Sequence, residues 1–487
     1  MTNLDEYEQT IEAWRNEYIS ARNSTKGWEI LEKLAKFQVE AEQQMETEDA
    51  PGEFDDFSTS KLITLIMGDI DTTDLLVNHQ ILLLQFLPSA HPNILRHVAR
   101  VIRQKEGAVE ILKTSALAVG IAFARRVTET DATEEIARLL AVLVDNQSIC
   151  DELKAQLTES KEGSTERSRI YSIATARAKV SPDPSCLQWL YSEILKSIQN
   201  TGDVLAQLDA LDTLVDVALT GKENAKALVD NGIVKEIYKL MEWSRESPDS
   251  GDIYFYGTRF LCYMARSYPQ VIQQFPDFVR RLMLEVRMFD QLSTTSRLGV
   301  FDHFASLCFS TEAKLTLEEI FKGSKDLENT LGAAGAACTM GTMEMKCRTL
   351  QAITLVFQNA SSSMASEWYE RLGGKALTHM CVGSVKKPFP EQKTAIYDFW
   401  QQLFEYPDVV KQFVDYQGFI DWALDEKSES QPEEELRKRQ LIHRVIWLSD
   451  DSKTSETVKI DAELVGKLKK YLQPAAAPAP RVEEMAL

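Results

Sequence analysis

An all-α fold of stacked helical repeats is predicted by three observations. A step in which an apolar helix ends, a short polar break follows and a turn opens a new helix recurs along the chain. Most segments between breaks place apolar residues at a 3.6-residue period, and strand-like alternation is hardly visible. With 487 residues, 44% of them hydrophobic and 26% charged, the chain is ordinary in composition but too long for one compact core. Residues 224–237 (Asn-Ala-Lys-Ala-Leu-Val-Asp-Asn-Gly-Ile-Val-Lys-Glu-Ile) and 408–422 (Asp-Val-Val-Lys-Gln-Phe-Val-Asp-Tyr-Gln-Gly-Phe-Ile-Asp-Trp) are two copies of the step. Residues 268–279 are a third, with Pro276 and Asp277 in place of the Asn-Gly turn. A period of about 45 residues is that of armadillo and HEAT units, whose two or three helices bury their apolar faces only against neighbours. Stacked units form a curved solenoid with an extended concave face suited to holding another protein.

The elements follow in order. Residues 1–45 read as N-terminal capping helices, one over 6–21 and one over 27–44. Residues 46–57, rich in Glu and Asp around Pro51-Gly52, read as an acidic loop. N-terminal helical repeats run over 58–160, broken at Pro88 and Pro92, with the apolar run 117–124 as a buried helix. A polar loop at 160–167 is a point at which the rod can divide into two arcs. C-terminal armadillo/HEAT-like repeats occupy 168–472, with units ending near Thr220, Ser267, Ser310, Gln358 and Glu405. Within them Leu205, Leu208, Leu211, Val215 and Leu219 form an apolar stripe. The Gly/Ala-rich stretch 329–342 weakens the register and is expected to be an irregular loop. Residues 426–439 are a charge run, expected as a solvated helix or linker. Residues 473–487, rich in Pro and Ala, are expected to be a disordered tail.

The balance of charge removes whole classes of function. A formal charge of −20 opposes phosphate backbones and anionic lipid, so neither nucleic acid nor membrane is expected as a partner. The acidic opening Met1-Thr-Asn-Leu-Asp-Glu predicts no secretory leader. The seven cysteines, with no CxxC pair, suit small core fillers in a reducing cytoplasm, with the nucleus as a second compartment. Gly373-Gly-Lys lacks the spacing and the Ser/Thr of a phosphate-binding loop, and Gly332-Ala-Ala-Gly follows no strand. The six histidines show no zinc spacing. No enzyme, catalytic residue, metal or cofactor is expected.

The third helix of an armadillo unit lines the concave face and commonly carries an Asn with a Trp four residues before it. That frame places the Asn-equivalent position at Asp216, Tyr263, Ser306, Leu355 and Gln402, at gaps of 47, 43, 49 and 47. The Trp-equivalent positions are Asp212, Arg259, Asp302, Gln351 and Asp398. The Asn/Trp array of nuclear import receptors is absent, which argues against a karyopherin-like adaptor. What remains predicts a protein-binding groove of Asp212, Asp216, Asp302 and Asp398 with Tyr256, Tyr263 and Trp400, joined by Arg259, Ser306, Gln351 and Gln402. An acidic, partly aromatic groove suits a basic folded domain or helix.

Several segments are specific enough to carry a resemblance. Residues 366–372 (Ser-Glu-Trp-Tyr-Glu-Arg-Leu), 385–391 (Val-Lys-Lys-Pro-Phe-Pro-Glu), 417–426, 275–279 with the helix before them, and 343–353 occur in order. Together they resemble the proteasome base assembly chaperone family, that of the 26S proteasome non-ATPase regulatory subunit 5, over residues 200–475. The resemblance implies a dedicated chaperone for the base of the 19S regulatory particle. It implies binding to the C-terminal domain of one base ATPase, alongside that subunit's paired ATPase and a large non-ATPase base subunit. It also implies hindrance of premature docking on the 20S core. The alternative is an armadillo adaptor for a different basic protein.

Overall fold

The structure, a computed structural model, describes residues 2–45, 56–88, 90, 92–128, 133–181, 185–200, 202–245, 251–429, 431–450, 458 and 460–473. The stretch expected as an acidic loop lies outside these but for residues 56 and 57, and so does the tail beyond residue 473. The described residues contain helices and turns and no β-strand, as expected for an all-α repeat fold. None of the helices among them is long and apolar enough to cross a membrane. The chain divides into two compact units, Met1–Phe260 and Leu261–Leu487.

The first unit opens with α1 (Thr2–Ala21), α2 (Ser24–Met45) and α3 (Asp56–Asp69). A π-helical turn (Asp74–Asn78) leads into α4 (Gln80–Phe86), α5 (Pro92–Gln104), α6 (Ala108–Lys113), α7 (Leu117–Arg126) and α8 (Thr133–Ala141). Then come α9 (Gln147–Glu159), α10 (Thr165–Val180), α11 (Gln188–Gln199) and α12 (Val204–Leu219). Next are α13 (Lys222–Asp230), α14 (Ile233–Arg245) and α15 (Gly251–Ser267), within which the division falls. One ladder runs α3, α5, α8, α10, α12, each helix packed on the next. Its members start at residues 92, 133, 165 and 204 after α3, an uneven spacing typical of two-helix units with variable turns. Helix α7 buries Val119, Gly120, Phe123 and Ala124, as its apolar sequence predicts.

The stripe predicted on α12 needs correction. Leu205 is 76% exposed and Leu219 39% exposed, whereas Ala206, Gln207, Ala210, Leu214, Val217 and Ala218 are buried with Leu211 and Val215. Small residues take the buried face because α10 and α11 both lie close against it, and the larger leucines at the ends are left outside.

The second unit is built from four three-helix repeats. They are α16–α18 (Val271–Gln274, Pro276–Arg287, Thr294–Leu307) and α19–α21 (Thr311–Ile320, Asp326–Met340, Met343–Phe357), followed by α22–α24 (Ser362–Arg371, Gly374–Val385, Pro390–Leu403) and α25–α27 (Pro407–Val414, Gln417–Leu424, Pro432–Asp450). Helix α28 (Ala462–Leu472) packs against α26 and α27. First, second and third helices each form their own ladder: α16 on α19 and α22 on α25; α17, α20, α23, α26; and α18, α21, α24, α27. The starts are coded locally. Ser310 and Ser361 cap first helices α19 and α22, Thr342 caps third helix α21, and proline occupies the first turn of α17, α24 and α25. Lys314, 1% exposed, donates from Nζ to Phe309 O at 3.1 Å and Gln358 O at 3.2 Å. A buried cation thus satisfies the carbonyl-rich ends of two successive third helices.

Two expectations fail in this unit. The Gly/Ala-rich stretch 329–342 is not a loop: most of it belongs to α20. Its small residues serve close approach, because a Cβ on Gly335 would stand 1.7 Å from Leu372 O. The charge run 426–439 is not simply solvated either. Lys393 Nζ lies 2.7 Å from Glu429 and 2.9 Å from Glu434, with the Lys393 and Glu429 side chains 6% and 0% exposed. Trp422 Nε1 donates to Glu429 at 3.0 Å. Lys438, fully buried, donates to Asp425 O and Ser428 Oγ and lies between the rings of Trp422 and Tyr471. These contacts hold the turn before α27 against α24. Replacing Lys393 with Met leaves Glu429 buried without its cation, and we expect a loss of about 3–5 kcal/mol in denaturant unfolding. Adding Glu429→Gln to that variant restores a large part, because the orphaned charge is then gone.

Candidate functional site

Exposed positions on the third-helix ladders are where the fold presents polar side chains in a repeating array. In the first unit α8, α10 and α12 lie side by side and enclose an open groove of ≈ 570 Å³. Asp212 and Asp216 line it together with Asp209, so three carboxylates follow one another along α12. Opposite them stand Glu134 and Arg138 of α8 and Arg169 and Lys179 of α10. The groove therefore has mixed charge rather than the purely acidic lining expected. Arg138 is occupied by Glu134 and Glu135, and Arg169 donates to Thr128 O at 2.7 Å. Ser168 Oγ donates to Asp209. Partial burial, with Asp216 and Asp209 close by, raises the Asp212 carboxyl above its ordinary value against the opposing pull of Arg259.

The sequence frame found ladder positions but missed their partners. Arg259 Nη1 lies 2.8 Å from Asp212 Oδ1, and Arg437 Nη1 lies 2.7 Å from Asp398 Oδ1. Asp302 is largely desolvated, which raises its carboxyl, and Arg348 opposes that shift. In each case the arginine comes from the third helix of the following repeat. The carboxylates at 212, 302 and 398 thus knit successive repeats together as much as they face outward. A sequence signal existed: an arginine within a turn of the same register, one repeat on.

The remaining expected residues divide sharply. Tyr256 is half-buried and meets Phe255 edge-on at 5.4 Å. Tyr263 is half-buried, with the Arg266 guanidinium 5.3 Å from its ring centre. Gln351 is exposed on α21, and Gln402 donates to Phe357 O at 3.5 Å. Ser306 is only 1% exposed and Trp400 is fully buried, so neither can meet a partner. Trp400 is a core residue, packed on Trp422 at 5.0 Å and Phe413 at 5.6 Å. The armadillo frame fixes which turn of the helix a residue occupies, but a large aromatic two residues off the exposed position turns inward to the apolar side.

The cysteines do not form a nucleophilic centre. Burial raises all seven thiols, led by Cys262, Cys308, Cys338 and Cys381, the opposite of the shift that makes a thiolate reactive. Among the described residues no group of three or more His, Cys, Asp or Glu is placed to hold a metal ion.

Comparison with known proteins gives a consistent result. A family model described as proteasome non-ATPase 26S subunit matches residues 11–484. The 26S proteasome non-ATPase regulatory subunit 5 of Drosophila melanogaster is 19% identical over 348 residues, covering 69% of this chain; the chain spans 66% of that relative's length. Among solved structures, yeast importin-beta is similar over 87% of this chain and 55% of its own, at 13% identity and a TM-score of 0.48. A designed armadillo repeat protein in complex with a (KR)4 peptide is similar over 58% of this chain and 98% of its own, at 12% identity and a TM-score of 0.31.

Proposed function

The chain belongs to the proteasome non-ATPase 26S subunit family, and from that premise we propose that it is an assembly chaperone for the base of the 19S regulatory particle. On this reading its third-helix ladders hold the C-terminal domain of one base ATPase, with that subunit's paired ATPase and a large non-ATPase base subunit nearby. The bound chaperone then hinders premature docking on the 20S core. The work takes place in the cytoplasm, with the nucleus as a second compartment. The observation that carries the reading is the family match across residues 11–484. The repeat architecture supports it, since packed ladders offer a large rigid surface at little ordering cost on binding.

The electrostatics refine where the attraction for a basic partner lies. Asp212 and Asp398 already carry arginines, whereas Asp216 is exposed in the groove of the first unit. Asp216→Asn is expected to weaken capture of the ATPase domain several-fold while leaving unfolding within about 0.5 kcal/mol of the parent. Asp212→Asn and Asp398→Asn remove contacts between repeats and are expected to lower stability slightly, by up to about 1 kcal/mol each. Pull-downs with the isolated C-terminal domain of every base ATPase at moderate salt are the direct test. Failure to retain any of them would refute the chaperone reading, and unchanged retention by Asp216→Asn would remove the groove from it.

A further inference from the structure

The turns joining second to third helices gather exposed apolar side chains along one edge of the second unit. Helices α17, α20 and α23 run side by side in the same direction, and so do α18, α21 and α24. Their second-to-third turns therefore fall in a row. Leu284 is 46% exposed, Met288 39%, Met340 79%, Met343 40% and Phe389 46%, and all five lie at these three turns. The other large exposed apolar residues among the described part of this unit, Leu315, Leu436 and Trp447, lie on other elements. Scattered exposed apolar residues need no explanation, but five along one edge form a patch.

The charge around the row contrasts with the rest of the chain. Around Met340, Met343 and Phe389 stand Lys346, Arg348, Lys386 and Lys387 against Glu344 and Glu391, a net +2 on a chain of −20. Lys386 and Lys387 are exposed, and Lys386 Nζ donates to Gly418 O at 3.3 Å, which fixes its stem along the next repeat. The two glutamates sit in the first turns of α21 and α24, where the helix dipole already stabilises them. Methionine is suited to such a patch, because its unbranched, polarizable side chain repacks around differently shaped partners.

We infer that this edge is a second docking surface, which takes an amphipathic helix with aliphatic side chains on one face and carboxylates beside them. Charge complementarity selects that occupant: a helix flanked by lysines would meet Lys346, Lys386 and Lys387, whereas one flanked by glutamates pairs with them. The surface is separate from the third-helix ladder and does not depend on the chaperone reading.

The test uses the full chain and a labelled helical peptide of about 18 residues with leucines on one face and glutamates flanking them. A lysine-flanked version is the control, read by fluorescence anisotropy. The glutamate peptide is expected to bind at least tenfold tighter than the lysine peptide, and less tightly as salt rises. Met340→Ser with Phe389→Ser, and separately Lys346→Glu with Lys387→Glu, are expected to reduce that binding at least tenfold with unchanged thermal melts. Leu436→Ser with Trp447→Ser is expected to leave it intact. Equal binding of the two peptides, or binding indifferent to the edge variants, overturns the proposal. Sedimentation showing a parent dimer that the edge variants dissolve overturns it as well, by assigning the edge to a second copy. Capture of the ATPase domain is expected to be unchanged in the edge variants, so the two readings can fail separately.

Discussion

Gly335→Ala is expected to be among the most destabilising single-methyl additions available in this chain, costing upward of about 3 kcal/mol in denaturant unfolding. The added Cβ would lie 1.7 Å from Leu372 O and 2.7 Å from its carbonyl carbon. Both atoms are backbone, so no rotamer change can relieve the overlap. Leu372 caps α22, and Gly373 follows it at φ +93°, a left-handed conformation that fixes the turn into α23. Helix α20 must therefore move away from the α22–α23 turn, which opens the packing between two repeats. Gly332, one turn earlier in the same helix, is the control. There a Cβ would meet only Arg371 O at 3.9 Å, an ordinary contact. Gly332→Ala should be neutral or stabilising by roughly 0.5–1 kcal/mol through helix propensity. Equal effects at the two glycines would show that repeat packing does not depend on this close approach.

That glycine also shows what the sequence conveys and where it stops. The register from residue 221 onward is legible because three-helix repeats set their turns and caps at nearly constant spacing, as at Ser310 and Ser361. The first unit is less legible, since its ladder helices begin at 133, 165 and 204 with no fixed interval. Composition alone made α20 resemble a loop. Glycine and alanine are common both where a chain is irregular and where two backbones come together, and only the neighbour at Leu372 distinguishes the cases. The ladder is a similar case. Asp212 and Asp398 were placed correctly on it, but their arginines stand 47 and 39 residues away. A pattern read one repeat at a time sees an acidic groove, whereas the folded chain has a largely compensated one. Lys438 escaped for the same reason: it lies in a run of charges, yet the turn before α27 folds over it.

Stability should pass through a maximum between about pH 8 and 9 and then fall steeply, because two sets of buried groups titrate in opposite senses. Burial lowers Lys314 and Lys438 to about 8 from an ordinary value of 10.5. Facing Lys314 is the Cys308 thiol; facing Lys438 are Glu429, Glu435, Asp425 and Lys393. Between those two values the unfolded chain holds both protons and the folded chain has released them. Stability therefore rises with pH by roughly 1 kcal/mol per unit per lysine. The thiols of Cys262, Cys308, Cys338 and Cys381 are fully buried and held well above their ordinary value of 9.0. Above that value the unfolded chain loses four protons that the folded chain keeps, so stability falls by roughly 1 kcal/mol per unit per thiol. Four thiols outweigh two lysines, leaving a net loss of about 2–3 kcal/mol per pH unit from 9 upward. Denaturant midpoints measured from pH 7 to 10.5 under reducing conditions test both limbs. Lys314→Met with Lys438→Met should abolish the rise and steepen the fall, while alanine at the four cysteines should lower stability overall but remove most of the alkaline loss. A parent protein whose stability stays level to pH 10.5 would mean that these thiols reach solvent in the folded state, and that the repeats open at their cores.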